Sequence, residues 1–319
     1  MAITATGLSS YTDKATQLLT AGVLLADDLD RYSLEDDVQS SKYLNFVDTT
    51  LYPLAGSCGL TSSGTTTFTE KSISVTPIAY QLQYCFEELQ EKAIKIERQA
   101  IAKGLQDTSW ESIFTDQNIN KVKQSVESQL WVGATASGNF FDGWATIALA
   151  ASDRVLIDST YTGYSQTAIT TTTISNIINS FCDKIVDTSA LWAQVGNGEK
   201  VTIHCAPNIY NTYKQYLLSS NLFRDVDKDL AVKEQWVSAY EGQISIKEEP
   251  ALEVTARTSS PKMLATIDKN LYMGSSLVND VTAPKAKWVI DSVTDYVYFK
   301  TAFRLGAQVA FTNQVVTFY

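Results

Sequence analysis

Gln129-Leu130-Trp131-Val132-Gly133, followed by Asn139-Phe140-Phe141-Asp142-Gly143-Trp144, is the stretch that decides how this chain is read. Ile119, Val122, Val126 and Leu130 lead into it at spacings of three and four. That spacing puts all four on one face and predicts a helix running in from Asn118. Gly133 stops the helix, a polar turn follows, and an aromatic-glycine pair closes the turn.

On the N-terminal side, Phe86, Leu89, Ala93, Ile96 and Ala100 predict a helix over 85–103, capped by Gly104. Glu88–Lys92 and Glu91–Lys95 are i,i+4 pairs on its solvated side, worth ~0.2–0.5 kcal/mol each. Before it, 45–78 changes texture. Leu54 to Thr67 is rich in Gly, Ser and Thr, and Phe68 to Thr76 alternates with Ile73 and Val75 on one side. Two strands joined by such a tip make a hairpin. A hairpin with little core content suits contact with something else. Residues 1–45 are polar, with acid clusters around Asp27-Asp28 and Glu35-Asp36-Asp37, and are expected to form a solvated arm.

On the C-terminal side, 162–173 reads as a polar loop or edge. Thr173 is placed to cap a helix that carries Ile174, Ile177, Ile178, Phe181 and Ile185 on one face. Asn197-Gly198 signals a turn, 200–205 a strand, and Pro207-Asn208 the start of a helix with Ile209, Tyr213, Tyr216 and Leu217. The end is β-rich. Met263–Ile267 and Leu271–Gly274 read as strands about an Asp268-Lys269-Asn270 turn, Trp288 to Phe303 alternates, and 308–319 reads as a strand broken at Thr312-Asn313. Helices and strands in this order give an α+β class.

The chemistry is sparse. Cysteines at 58, 85, 182 and 205 form no CxxC pair and read as reduced thiols. His204 is the only histidine; on a strand it points away from Cys205, so the two form no dyad. It reads as structural. Asp225, Asp227 and Asp229 lack the glycine and distal glutamate of a calcium loop, and Glu248-Glu249-Pro250 reads as a loop. No phosphate-binding loop is visible. Trp110, Trp131, Trp144, Trp192, Trp236 and Trp288 are scattered, as core or interface anchors are. No catalytic residue, cofactor site or metal site is therefore expected. A net charge of -10 on 319 residues argues against nucleic-acid binding, which runs on Lys and Arg. No apolar run approaches the ~20 residues of a membrane helix. Residues 1–30 carry no secretory pattern.

The helix-Gly-turn-Phe-Asp-Gly segment resembles the one after the spine helix in tailed-phage major capsid proteins of the Hong Kong 97-type fold, with Ala134 where an acid is usual. Asn270-Leu271-Tyr272-Met273-Gly274, a later loop, two long strands and a terminal strand resemble that family in order. The likeness spans about 45–319. It implies an N-terminal arm (1–45), an E-loop hairpin (46–79), a P-domain with the spine helix (80–135), an A-domain (136–284) and C-terminal strands returning to the P-domain (285–319). Trp131, Gly133, Phe141, Gly143, Asn270 and Gly274 would be its structural motif residues. Cys58, Ser62, Thr65, Phe68 and Lys71 would be E-loop contacts to a neighbouring subunit.

The function implied is self-assembly as pentamers and hexamers into an icosahedral virion shell around dsDNA, without sequence-specific binding and without a membrane. Assembly would take place in the host cytoplasm, with a separate scaffolding protein, a portal and decoration proteins as partners. An arm of this length is too short for a fused scaffolding domain, and no large N-terminal cleavage is expected. An encapsulin-type compartment shell is the alternative within this fold. An enzyme or carbohydrate-binding module is the alternative from another class, and no catalytic constellation supports it.

Overall fold

The computed structural model describes residues 32–35, 38–51, 64–85, 87, 88, 91, 95, 110–157, 169–220, 234–237, 240, 242–252, 263–275, 287–291 and 296–318. In chain order the strands are β1 (Ser33–Glu35), β2 (Ser41–Leu51), β3 (Gly64–Ser74), β4 (Thr76–Cys85), β5 (Val155–Ile157), β6 (Val201–Cys205) and β7 (Glu234–Trp236). They continue as β8 (Ile244–Glu248), β9 (Met263–Ile267), β10 (Leu271–Ser275), β11 (Lys287–Asp291), β12 (Tyr296–Val309) and β13 (Val316–Phe318). The helices are α1 (Trp110–Val132), α2 (Trp144–Ala150), α3 (Ile174–Asp187), α4 (Ser189–Gly196) and α5 (Pro207–Ser219).

Strand β12 organises a five-stranded sheet. Val297, Phe299, Thr301, Phe303 and Leu305 alternate inward along it, so one face is a core face. Antiparallel β4 runs beside it from Tyr296↔Cys85 to Leu305↔Thr76. Strand β11 covers its first residues and β10 its last, and β1 adds to β10 in parallel. Helix α1 lies against this sheet. Tyr80 Oη donates to Ser125 Oγ at 3.0 Å and Tyr84 Oη to Asn118 Oδ1 at 3.1 Å. Ile119, Val122, Val126 and Leu130 are all buried, the stripe their spacing dictates.

A six-stranded sheet, ordered β5-β13-β9-β6-β8-β7, forms the second layer. Every residue of β6 is buried, as befits an inner strand covered on both faces. Ile174, Ile177, Ile178, Phe181 and Ile185 of α3, with Ile209, Tyr210, Tyr213 and Leu217 of α5, join its core.

Several boundaries differ from the sequence reading. Helix α1 starts at Trp110, before Asn118, and β2 starts at Ser41, inside the expected arm. The described part of that arm is exposed at 39–43, as expected, but it is not solvated throughout: Tyr32, Val38 and Leu44 are buried. Thr173 makes no side-chain cap on α3, because its hydroxyl accepts the Thr170 N–H at 2.9 Å. Strand β13 leaves the sheet of β12 and pairs with β5 and β9 in the second sheet. Most of 85–103, the aspartates at 225–229, Cys58 and Ser62 lie outside the described residues. No helix among the described residues is long and apolar enough to cross a membrane.

Candidate assembly surface

Strands β2 and β3 form a two-stranded hairpin sheet of their own, in register from Ser41↔Ser74 to Leu51↔Gly64. Directly opposed residues share a face. One face turns inward. Leu44 and Ile73 are buried, and the Phe46 ring lies 4.8 Å from Phe311 and 5.9 Å from Tyr272. Lys71 is on this face, and its ammonium donates to the Val309 carbonyl at 3.4 Å. Burial lowers its pKa, and the charge of Asp153 partly offsets that. Gln308 Nε2 donates to Ser72 O at 2.7 Å, which also fastens the hairpin to β12.

The other face turns away from the body. Tyr43, Val47 and Phe68 are 64%, 61% and 77% exposed, and Val47 is the register partner of Phe68. Among the sequence candidates, Phe68 therefore faces outward. Thr65, also exposed, shares the strand face of Lys71. Tyr43 and Val47 were missed. Their alternation with Leu44 and Phe46 was the available signal: Tyr43 fell in the expected arm, and Val47 lay in the expected 46–79 hairpin without being picked out.

The turn after α1 is built by close backbone approach. A Cβ on Gly133 would sit 2.4 Å from Gln129 O and 2.6 Å from Phe141 O; one on Gly143 would sit 2.7 Å from both Gln129 O and Leu130 O. The Gly143 N–H donates to Gly133 O at 2.9 Å, and the Thr146 hydroxyl donates to the same oxygen at 2.6 Å. Asp142 Oδ1 accepts from Thr135 N–H at 2.7 Å and from Thr135 Oγ1 at 2.9 Å. Trp131 and Phe141 are buried beside this turn.

Asn270 ties β10 to the chain end. Its Oδ1 accepts the Phe311 N–H at 2.7 Å, and its Nδ2 donates to Phe311 O at 2.9 Å and Thr266 Oγ1 at 3.0 Å. At Gly274 a Cβ would meet Val75 Cγ1 at 3.0 Å and Ile73 Cδ1 at 3.1 Å, so the glycine lets the hairpin base lie on β10.

The buried chemistry lies elsewhere. His204 contacts Glu249 and Asp268, each at 3.1 Å, in a pocket walled by Tyr32 and Trp131. Glu249 lies in the segment expected to be a loop and is buried, where it joins both His204 and Lys247. Both ring nitrogens are engaged, which leaves no free base for catalysis. The Cys182 thiol is pushed up to about 12, by burial first and then by the charge of Asp183. Burial likewise pushes Cys205 well up, so both buried thiols are poor nucleophiles. No group of three or more metal-ligating side chains occurs among the described residues.

Comparison of the fold with solved structures decides the class. The capsid of Myoviridae phage XM1 matches over 95% of this chain and 91% of its own, at 11% identity and a TM-score of 0.55. The chain has the fold of tailed-phage capsid proteins. The capsid of the native GTA particle matches over 93% of this chain and 96% of its own, at 11% identity and a TM-score of 0.54. A virus-like particle from Pyrococcus furiosus matches over 97% and 99%, at 11% identity and a TM-score of 0.50. By sequence, no family model and no curated protein matches the chain. The capsid fold therefore persists here without detectable sequence likeness.

Proposed function

We propose that this chain is a major capsid protein that self-assembles, as hexamers and pentamers, into the icosahedral shell around the dsDNA genome of a tailed phage. The single observation that carries the reading is the capsid fold joined to a hairpin with an exposed apolar face at Tyr43, Val47 and Phe68. Exposed apolar area of this kind marks interaction surfaces. The hairpin acts as the E-loop and lies on the neighbouring subunit. The β12 sheet with α1 acts as the P-domain, and the second sheet with its helices as the A-domain. Gly133, Gly143, Asn270 and Gly274 shape the subunit and take no part in contacts. The protein carries out no reaction. It resides in the virion capsid, assembles in the host cytoplasm, and works with a scaffolding protein, a portal and decoration proteins.

Shells repeat each contact many times, so a modest contact suffices at each interface. Negative-stain microscopy of the purified chain tests the reading: closed shells or rings support it, and a monomer at every concentration rejects it. The likeness to the Pyrococcus furiosus particle favours a second reading, a protein compartment of the encapsulin type. Particle contents separate the two, since a phage head holds DNA and a compartment holds protein cargo.

A further inference from the structure

We propose that His204 is the clamp of a pH-sensitive latch that fastens residues 32–35 and Val38 to the body of the chain. The geometry starts at its imidazole, which is fully buried in the middle of the second sheet. Nδ1 lies 3.1 Å from Glu249 Oε1, and Nε2 lies 3.1 Å from Asp268 Oδ1. An ionised carboxylate only accepts, and a neutral imidazole has a single N–H. Both contacts are hydrogen bonds together when the ring is an imidazolium donating from each nitrogen. Lys247 Nζ, 2.9 Å from Glu249 Oε1, is the second buried cation. Two cations then face two carboxylates, and the cluster is neutral.

The two carboxylates sit on the two segments that anchor Tyr32 and Ser33. Tyr32 Oη donates to Glu249 Oε1 at 3.2 Å. Ser33 Oγ donates to the backbone oxygen of Lys269, next to Asp268, at 2.8 Å. The Tyr32 ring packs 4.8 Å from Trp144 and 6.1 Å from Trp131, with Lys247 Nζ 5.9 Å from its centre. Beyond it, β1 is a three-residue parallel pairing on β10, and the Val38 N–H donates to Ser275 O at 3.3 Å. His204 thus joins the floor under Tyr32 to the turn under Ser33.

Losing the proton turns one ring-nitrogen lone pair toward a carboxylate oxygen and leaves the buried cluster with excess negative charge. Whichever carboxylate moves away takes one anchor with it. Burial favours the neutral ring, but hydrogen bonds and charge from Asp268 and Glu249 override it, and the pKa is raised. Below the unfolded value of ~6.5 the latch is fully held; it loosens as pH rises through the folded value. The neighbouring groups do not replace this proton. The Cys205 thiol stays protonated through burial, and Lys269 is paired outside with Glu199 at 2.8 Å.

The test is hydrogen exchange, corrected for intrinsic rate, at residues 32–35 and Val38 of the full-length chain at pH 6 and pH 9. Protection there should fall at pH 9, while α3 keeps its protection. His204→Gln should lower protection at both pH values and abolish the step. Tyr32→Phe should lower protection but keep the step. Unchanged protection at pH 9 in the wild type, or an undiminished step in His204→Gln, would overturn the latch. A second readout needs no variant. Because His204 is the only histidine, the ring 15N signals of the histidine-labelled wild type belong to it alone. Imidazolium signals that persist above the ~6.5 of a free histidine support the latch, and neutral imidazole signals at pH 6 overturn it.

Discussion

Val47 and Phe68 stand directly opposite each other across the β2–β3 pair, and both point away from the body, 61% and 77% exposed. The same hairpin buries Leu44 and Ile73 on its other face. The two faces separate two tasks. The inner face is part of the subunit's fold, through Phe46, Lys71 and the approach of Ile73 and Val75 to Gly274. The outer face leaves Tyr43, Val47 and Phe68 exposed, open to contact with another copy.

Gly133→Ala should damage the subunit itself. The added methyl meets the Gln129 and Phe141 carbonyl oxygens at 2.4 and 2.6 Å, and both are backbone atoms. Overpacking of this kind costs about 1–3 kcal/mol. Thermal unfolding should show a melting point lower by several degrees, or insoluble protein. A variant that melts like the wild type would show that the turn can open.

Asn270→Ala should shift the denaturant midpoint without changing the slope. The Phe311 N–H and C=O and the Thr266 hydroxyl lose their side-chain partner. An unsatisfied buried group costs about 1–3 kcal/mol. Guanidinium titration reads this directly, and an unchanged midpoint would mean that water replaces the amide without loss.

Alkaline pH should weaken the fold through His204. Its folded pKa lies above the unfolded one, so the folded state holds the proton longer. Its stabilisation is complete below ~pH 6.5 and is lost as pH rises through the folded value. Urea midpoints across pH 6–9 should decline in the wild type and decline less in His204→Gln. Parallel curves for the two proteins would remove His204 from the account.

Much of this fold is legible in the residues. The stripes Ile119–Leu130 and Ile174–Ile185 specify helices because three- and four-residue spacing admits no other regular structure with a single apolar face. The start of α1 was not legible in that stripe, since Trp110, Ile113 and Phe114 fall on the opposite side of the helix from Ile119, Val122, Val126 and Leu130. Strand β8 was not read. Lys247 and Glu249 look like surface residues, and their burial depends on His204 and Tyr32, more than forty and two hundred positions away. Charged groups become core only through partners that local pattern does not reveal. The outer hairpin face was half legible: Phe68 was singled out, but its partner Val47 is fixed by register alone.

Sedimentation and melting of the Val47→Ser, Phe68→Ser double variant beside the wild type test the central claim most directly. Both side chains are open to solvent, so the folded subunit should keep its stability within about 0.5 kcal/mol. The account predicts large particles from the wild type, and an unchanged melting point together with loss of those particles in the double variant. Particles of wild-type size and yield from the double variant would contradict it.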